Sequence, residues 1–250
     1  MGFYSGSGSS VESRTFPEAL DLSAVMRQVY TWLAFGLVVA GVVAFVVGQS
    51  AINAVNAAAT TGRVDFILLN PVAMIISLIL YIVLAFALQP IVMRADPTIG
   101  SLFYLLFTAV FGFMTSTIFL AYEAGTIIAA FVATAGMFGA MTVIGYTTKT
   151  DLSRFGSILM MGLIGIIIAS IVNLFLGSSV IYWIVSYAGV LIFCGLTAYD
   201  TQWIKNNAAA IAATGDRQGA QRLALIGAFR LFLDFVNLFF MLLRIFGGRD

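Results

Sequence analysis

The chain alternates long apolar runs with short polar breaks. The runs cover Tyr30–Gly48, Phe66–Met93, Ser101–Ala121, Gly125–Tyr146, Gly156–Leu176, Val180–Tyr199 and Leu223–Phe246. Roughly 20 apolar residues carry a helix across a bilayer, so the pattern predicts seven transmembrane helices. The runs are continuous rather than alternating, which excludes a transmembrane barrel. The second run is longer than a crossing needs and has Pro71 and Pro90 near its ends, so tilt or a kink is expected there. Residues 1–25, opening MGFYSGSGSS, form a polar, Gly/Ser-rich tail without the basic-then-apolar order of a signal peptide. Residues 26–248 make up a single membrane domain. The longest loop is expected between the sixth and seventh spans (KNNAAAIAATGDRQGAQR).

Composition agrees. Of 250 residues, 61% are hydrophobic and 9% charged, against about 25% charged in a soluble domain. Lipid is the solvent, and the fold class is an all-α integral membrane protein. The net charge of +1 gives no basic face for nucleic acid. With no histidine, His-based acid–base chemistry and almost every zinc site are excluded. The lone Cys194 forms no internal disulfide. No soluble cofactor is indicated, and the partners are the bilayer and possible membrane proteins. The chain reads as a non-enzyme.

Basic residues set the expected orientation. Arg14, Arg27, Arg94, Lys149, Arg154, Lys205, Arg217 and Arg222 fall on the side of the N-terminus; Arg63, Arg244 and Arg249 fall on the other. Eight against three places the N-terminus in the cytoplasm and the C-terminus outside. Close glycine pairs, Gly136 with Gly139 and Gly162 with Gly165, read as places where helix backbones approach.

A charge at the bilayer centre costs about 2.5–3.5 kcal/mol even on a lenient scale, so each one requires an explanation. In RLFLDFVNLFFMLLRIF, Arg230, Asp234 and Asn237 fall at i, i+4 and i+7 on one helical face. The plain reading is an intrahelical Arg230–Asp234 ion pair. The other engages Asp200, in GLTAYDTQWIK at the end of the sixth span, whose own plain reading is a helix end beside water. If the seventh span starts at Leu223, Asp234 is about 16 Å deep and misses Asp200. If Arg230 marks the membrane edge, the depths match, and this register is preferred. Two carboxylates that close in a low-dielectric site cannot both ionise cheaply and titrate as a unit holding one proton. Such a pair answers pH or, deprotonated, offers oxygens to Ca²⁺. Arg94, at the end of the second span, either biases the pair or anchors the helix beside Asp96. Glu123, between the third and fourth spans, is a loop acid able to attract cations.

The strings GLTAYDTQ, FLDFVNLFFMLLRIFG and GYTTKTDLS resemble the Bax-inhibitor (transmembrane Bax inhibitor motif) family, bacterial branch, over about Met26–Gly248. The resemblance implies a seven-helix fold with helix seven central and a location in the inner membrane. It implies a pH-sensitive calcium leak gated by Asp200 and Asp234, with Arg94 as a latch. In that reading the two aspartates contact Ca²⁺ as the permeant ion, and Asn237 lines its path. Arg230 departs from the family pattern, in which a small polar residue is expected, and as a second cation it competes with Arg94 and moves the pH set-point. The alternatives are a proton-coupled exchanger, a non-transporting modulator of membrane proteases or other membrane proteins using the tail and residues 205–222, and, least favoured, an intramembrane aspartyl protease.

Overall fold

The computed structural model describes residues 21–61 and 70–248. Residues 1–20, Arg63, the expected span start Phe66–Leu69 and Arg249 lie outside them. The described elements are α1 (Leu22–Thr61), α2 (Pro71–Arg94), α3 (Pro97–Thr115), the single turn α4 (Ile118–Ala121), α5 (Ala124–Thr147), α6 (Ser153–Leu176), α7 (Ser179–Thr214) and α8 (Arg217–Phe246). With α3 and α4 forming one crossing, seven helical segments are long and apolar enough to span a membrane. From α2 onward, short connections among the described residues alternate their direction.

Helix ends follow local chemistry rather than hydropathy. Residues 22–25, expected in the tail, are the first turn of α1. The Asp21 carboxylate accepts from the Ser23 amide at 3.0 Å and so caps that turn, and Val25 and Met26 are buried. The Ser23 hydroxyl and amide hold the Asp21 carboxyl below its ordinary range. At its other end α1 runs past Gly48, because AINAVNAAATT is too polar to read as membrane yet rich in the best helix former. Pro71 starts α2 instead of kinking it: it occupies the first turn, where its missing N–H costs nothing, and Asn70 accepts from the Val72 amide at 2.9 Å. Pro90 lies inside α2. The third span is broken at Ser116 and Thr117 rather than continuous.

The expected long loop at 205–222 is also corrected. The helix α7 continues to Thr214 and α8 begins at Arg217, so the connection is the two-residue turn Gly215–Asp216. Gly215 takes φ +67°, a left-handed conformation that suits glycine at a helix C-terminus. Asp216 accepts from the Gly219 amide at 2.9 Å and caps α8. The Ala-rich end of α7 lowers hydropathy without breaking the helix.

Helix α8, the seventh span, is central, as expected. Of its most apolar stretch 72% is buried, against 6–33% for the other spans. It packs on α7, α1, α5, α3 and α2. Its stripe of Arg230, Asp234 and Asn237 is costly against lipid, which favours the middle of the bundle. The rings of Phe229 and Phe232 meet Phe107 edge-on at 5.0 and 5.8 Å. Large apolar side chains on the outer helices face the lipid position instead, among them Phe86, Leu174 and Phe175 at 80–83% exposure.

The glycine pairs are a second correction. A Cβ at Gly136, Gly139 or Gly165 meets nothing within 4 Å, so these glycines face outward; only Gly162 approaches a neighbour, Ile192. Backbones come close at two other glycines, Gly112 against Ala40 (α3 on α1) and Gly145 against Ala198 (α5 on α7). Lipid-facing and packing glycines look alike in a sequence.

Candidate functional site

The α7–α8 hairpin brings the site together. Asp200 lies about 15 residues before the turn and Asp234 about 18 after it, or roughly 22 and 27 Å along antiparallel helices at 1.5 Å per residue. The two are therefore within one helical turn of the same level. This agrees with the preferred register, although its premise of a membrane edge at Arg230 was not needed: both helices extend well beyond that point.

Both carboxyl groups are buried, Asp200 at 6% and Asp234 at 5% exposure. They face one another across the α7–α8 contact closely enough to interact electrostatically. Arg230 Nη2 donates to Asp200 Oδ1 at 2.5 Å. The guanidinium also lies over the Trp203 ring, 4.4 Å from its centre. Arg230 is thus shared between the two helices, and its ion pair is with Asp200 rather than the intrahelical one with Asp234. Asp234 Oδ2 and Arg230 Nε are buried without a hydrogen-bond partner. Two carboxylates and one guanidinium sum to zero when the pair holds a single proton.

These groups open into a cavity of about 760 Å³ between α6, α7 and α8. Helix α6 packs on α7 and stands off α8, and the cavity fills that gap. Asn237 lines it one turn beyond Asp234 and anchors its amide on the Leu233 carbonyl at 2.7 Å. A second cavity of about 330 Å³ shares Ser170 with the first and reaches Tyr182 and Arg244 at the other end of the bundle. Arg230, Asp234, Asn237, Met241 and Arg244 follow one another at helical spacing, so a single stripe of α8 lines both cavities.

Two further expected residues are not brought to the pair. Arg94 is exposed at the end of α2 and makes no hydrogen bond or ion pair among the described residues. The partners of α2 are α3 and α8, whereas Asp200 is on α7 and already held by Arg230. The latch contact expected of Arg94 is therefore not made in this structure. Arg222, not Arg94, reaches the end of α2, donating to the Ala95 carbonyl at 3.3 Å. Glu123 is exposed, precedes α5 without a capping hydrogen bond, and lines neither cavity.

Several supporting residues escape a reading of the sequence. Trp203 is one turn from Asp200, but its contact with Arg230 depends on the hairpin. Gln202, present in the GLTAYDTQ string, accepts from the Leu152 amide at 2.7 Å and donates to the Thr150 carbonyl at 2.8 Å. It thereby ties the α5–α6 connection to α7 beside the pair. Lys205 donates to the Tyr146 carbonyl at 2.7 Å and closes the end of α5. The repeated polar spacing D-x-Q-W-x-K was the available signal.

Comparison with known proteins adds the family. A family model described as "Inhibitor of apoptosis-promoting Bax1" matches residues 22–250. The chain is 42% identical over 228 residues to "Inner membrane protein YbhL" of Escherichia coli, covering 91% of this chain and 93% of that protein. It is 35% identical to an uncharacterized protein of Borreliella burgdorferi, covering 93% and 95%, and 36% identical to one of Caulobacter vibrioides, covering 91% and 89%. With this match across the whole membrane domain, around a central helix that carries Asp234 beside Asp200 of the preceding one, the chain belongs to the Bax-inhibitor family of multi-span membrane proteins.

Proposed function

We propose that this protein is a pH-sensitive leak for Ca²⁺, gated by Asp200 and Asp234. The observation that carries the reading is two buried carboxylates from adjacent helices, one of them paired with a guanidinium, facing an otherwise largely apolar cavity of about 760 Å³. Structural paired charges rarely need a cavity, whereas an ion path does. The likeness to YbhL, an inner membrane protein by its name, supports an inner-membrane location. The excess of Arg and Lys at the α7–α8 turn end supports placing that end, and the N-terminus, in the cytoplasm.

In this reading a shared proton bridges the two carboxyl groups and keeps α7 and α8 closed at this level. Losing it sets two negative charges against one guanidinium in a low-dielectric site, and their repulsion favours an open arrangement. Ca²⁺ passes along the α8 stripe, meeting Asn237 and then the carboxylates. Ca²⁺ takes 6–8 oxygens, and two carboxylates with an amide oxygen leave most of them to water. That suits transit rather than storage. Arg230, rather than Arg94, is the cation this reading gives to the pair.

An exchanger uses the same protonatable pair, so the test separates the two. Purified protein in dye-loaded liposomes is expected to admit Ca²⁺ with equal pH on both sides, and Asp200→Asn/Asp234→Asn to abolish the uptake. Uptake that requires an imposed proton gradient overturns the leak in favour of exchange. Uptake undiminished in the double variant removes the pair from the path.

A further inference from the structure

We infer that Arg230 is a tethered cation occupying the place a divalent ion takes at the aspartate pair, so that it sets which cations this protein accepts. The inference rests on the leak reading for its functional consequence, but the competition itself stands on geometry. Arg230 Nη2 meets Asp200 Oδ1 at the distance of a close charge-assisted hydrogen bond. Beside it Asp234 Oδ2 is buried with no donor. Of the pair's four oxygens, Asp200 Oδ1 is taken by the arginine and Asp234 Oδ2 is buried and unpaired.

Charge decides the rest. Among the residues lining the cavity, the charged ones are Asp200, Arg230 and Asp234; the wall from α6 is apolar apart from Ser170. With Arg230 in place and both carboxylates ionised, the cluster carries −1, and a divalent ion turns it to +1. With Arg230 withdrawn it carries −2, which the same ion neutralises. In a site poor in water the neutral arrangement is favoured over the charged one, so arginine and ion exclude each other.

The arginine is also built to move. Its side chain keeps 32% of its surface exposed, while its partner Asp200 keeps 8%. Its Nε is buried without an acceptor, so the guanidinium is held at one end only. The guanidinium already lies over the Trp203 ring, 4.4 Å from its centre, so the indole continues to hold it when the bond to Asp200 is given up.

The test is Mn²⁺ binding to the full-length, detergent-solubilised protein, read by electron paramagnetic resonance, beside uptake in liposomes. Arg230→Gln is expected to bind Mn²⁺ at least roughly tenfold more tightly than wild type, since a like charge at the site is gone. Arg230→Gln/Asp234→Asn should lose that gain. Arg230→Lys keeps the charge and should stay near wild type, and Trp203→Leu, which removes only the indole, should bind Mn²⁺ no more tightly than wild type while slowing uptake. Arg230→Gln binding no tighter than wild type, or Arg230→Lys gaining as much as Arg230→Gln, overturns the inference. If Arg230→Gln gains Mn²⁺ binding while neither protein admits Ca²⁺, the leak reading fails and the competition holds. If wild type admits Ca²⁺ but Arg230→Gln gains nothing, the leak holds and the competition fails.

Discussion

Arg230→Ala is expected to destabilise the protein by about 2–3 kcal/mol, and adding Asp200→Asn to restore most of that loss. Breaking a buried ion pair by deleting one partner costs roughly 3–5 kcal/mol, mostly because the remaining charge is left uncompensated. Arg230 is about a third exposed, so water screens part of the interaction and the lower figure applies. Asp200 is buried at 6% exposure and has no other cation within reach among the described residues. Neutralising it as asparagine removes the stranded charge, so the double variant is more stable than the single one. Thermal unfolding of the four proteins in one detergent reads the cycle. Losses that merely add would show that Arg230 and Asp200 are not energetically paired.

The second large effect is at Gly145. A Cβ there falls 2.8 Å from the Ala198 Cα and 2.9 Å from its carbonyl carbon, atoms of backbone that cannot rotate away. Overpacking of this kind costs about 1–3 kcal/mol, so Gly145→Ala should lower the unfolding midpoint clearly. Because Ala198 is half a turn from Asp200, the displaced α7 should also disturb the aspartate pair, and Ca²⁺ uptake should fall with stability. Gly136→Ala is the counterpart. Its Cβ meets nothing within 4 Å, so it should be neutral or gain up to about 1 kcal/mol from helix propensity. Equal effects of the two substitutions would refute the packing assigned to α5 and α7.

The seven crossings were legible because a membrane imposes one strong rule, that each span be long and apolar. Hydropathy reports where lipid contact begins, not where a helix stops. That is why the polar, Ala-rich C-terminal ends of α1 and α7 read as breaks between spans although they are helical. The pairing of Asp200 with Asp234 was legible only as one of two depth registers, and the two-residue turn at Gly215–Asp216 decides it. Arg230 was visible as a charge at i−4 from Asp234, yet the structure gives its guanidinium to Asp200 and Trp203 across the hairpin. Arg94 shows the converse. A basic residue at the right end of a span tells nothing about which neighbouring helix it faces, and α2 packs away from Asp200. Glycine spacing carried least, since Gly145 and Gly136 differ only in what lies opposite.

In the function proposed above, the Asp200–Asp234 pair senses protons and gates cation passage. Its most direct test is Ca²⁺ influx into dye-loaded liposomes recorded from about pH 5 to 8, comparing wild type with Asp200→Asn and Asp234→Asn. Influx is expected to change with pH in wild type and to give a flat profile in each single variant, because either substitution breaks the shared-proton pair. A wild-type profile that survives both substitutions with its midpoint unmoved would contradict it.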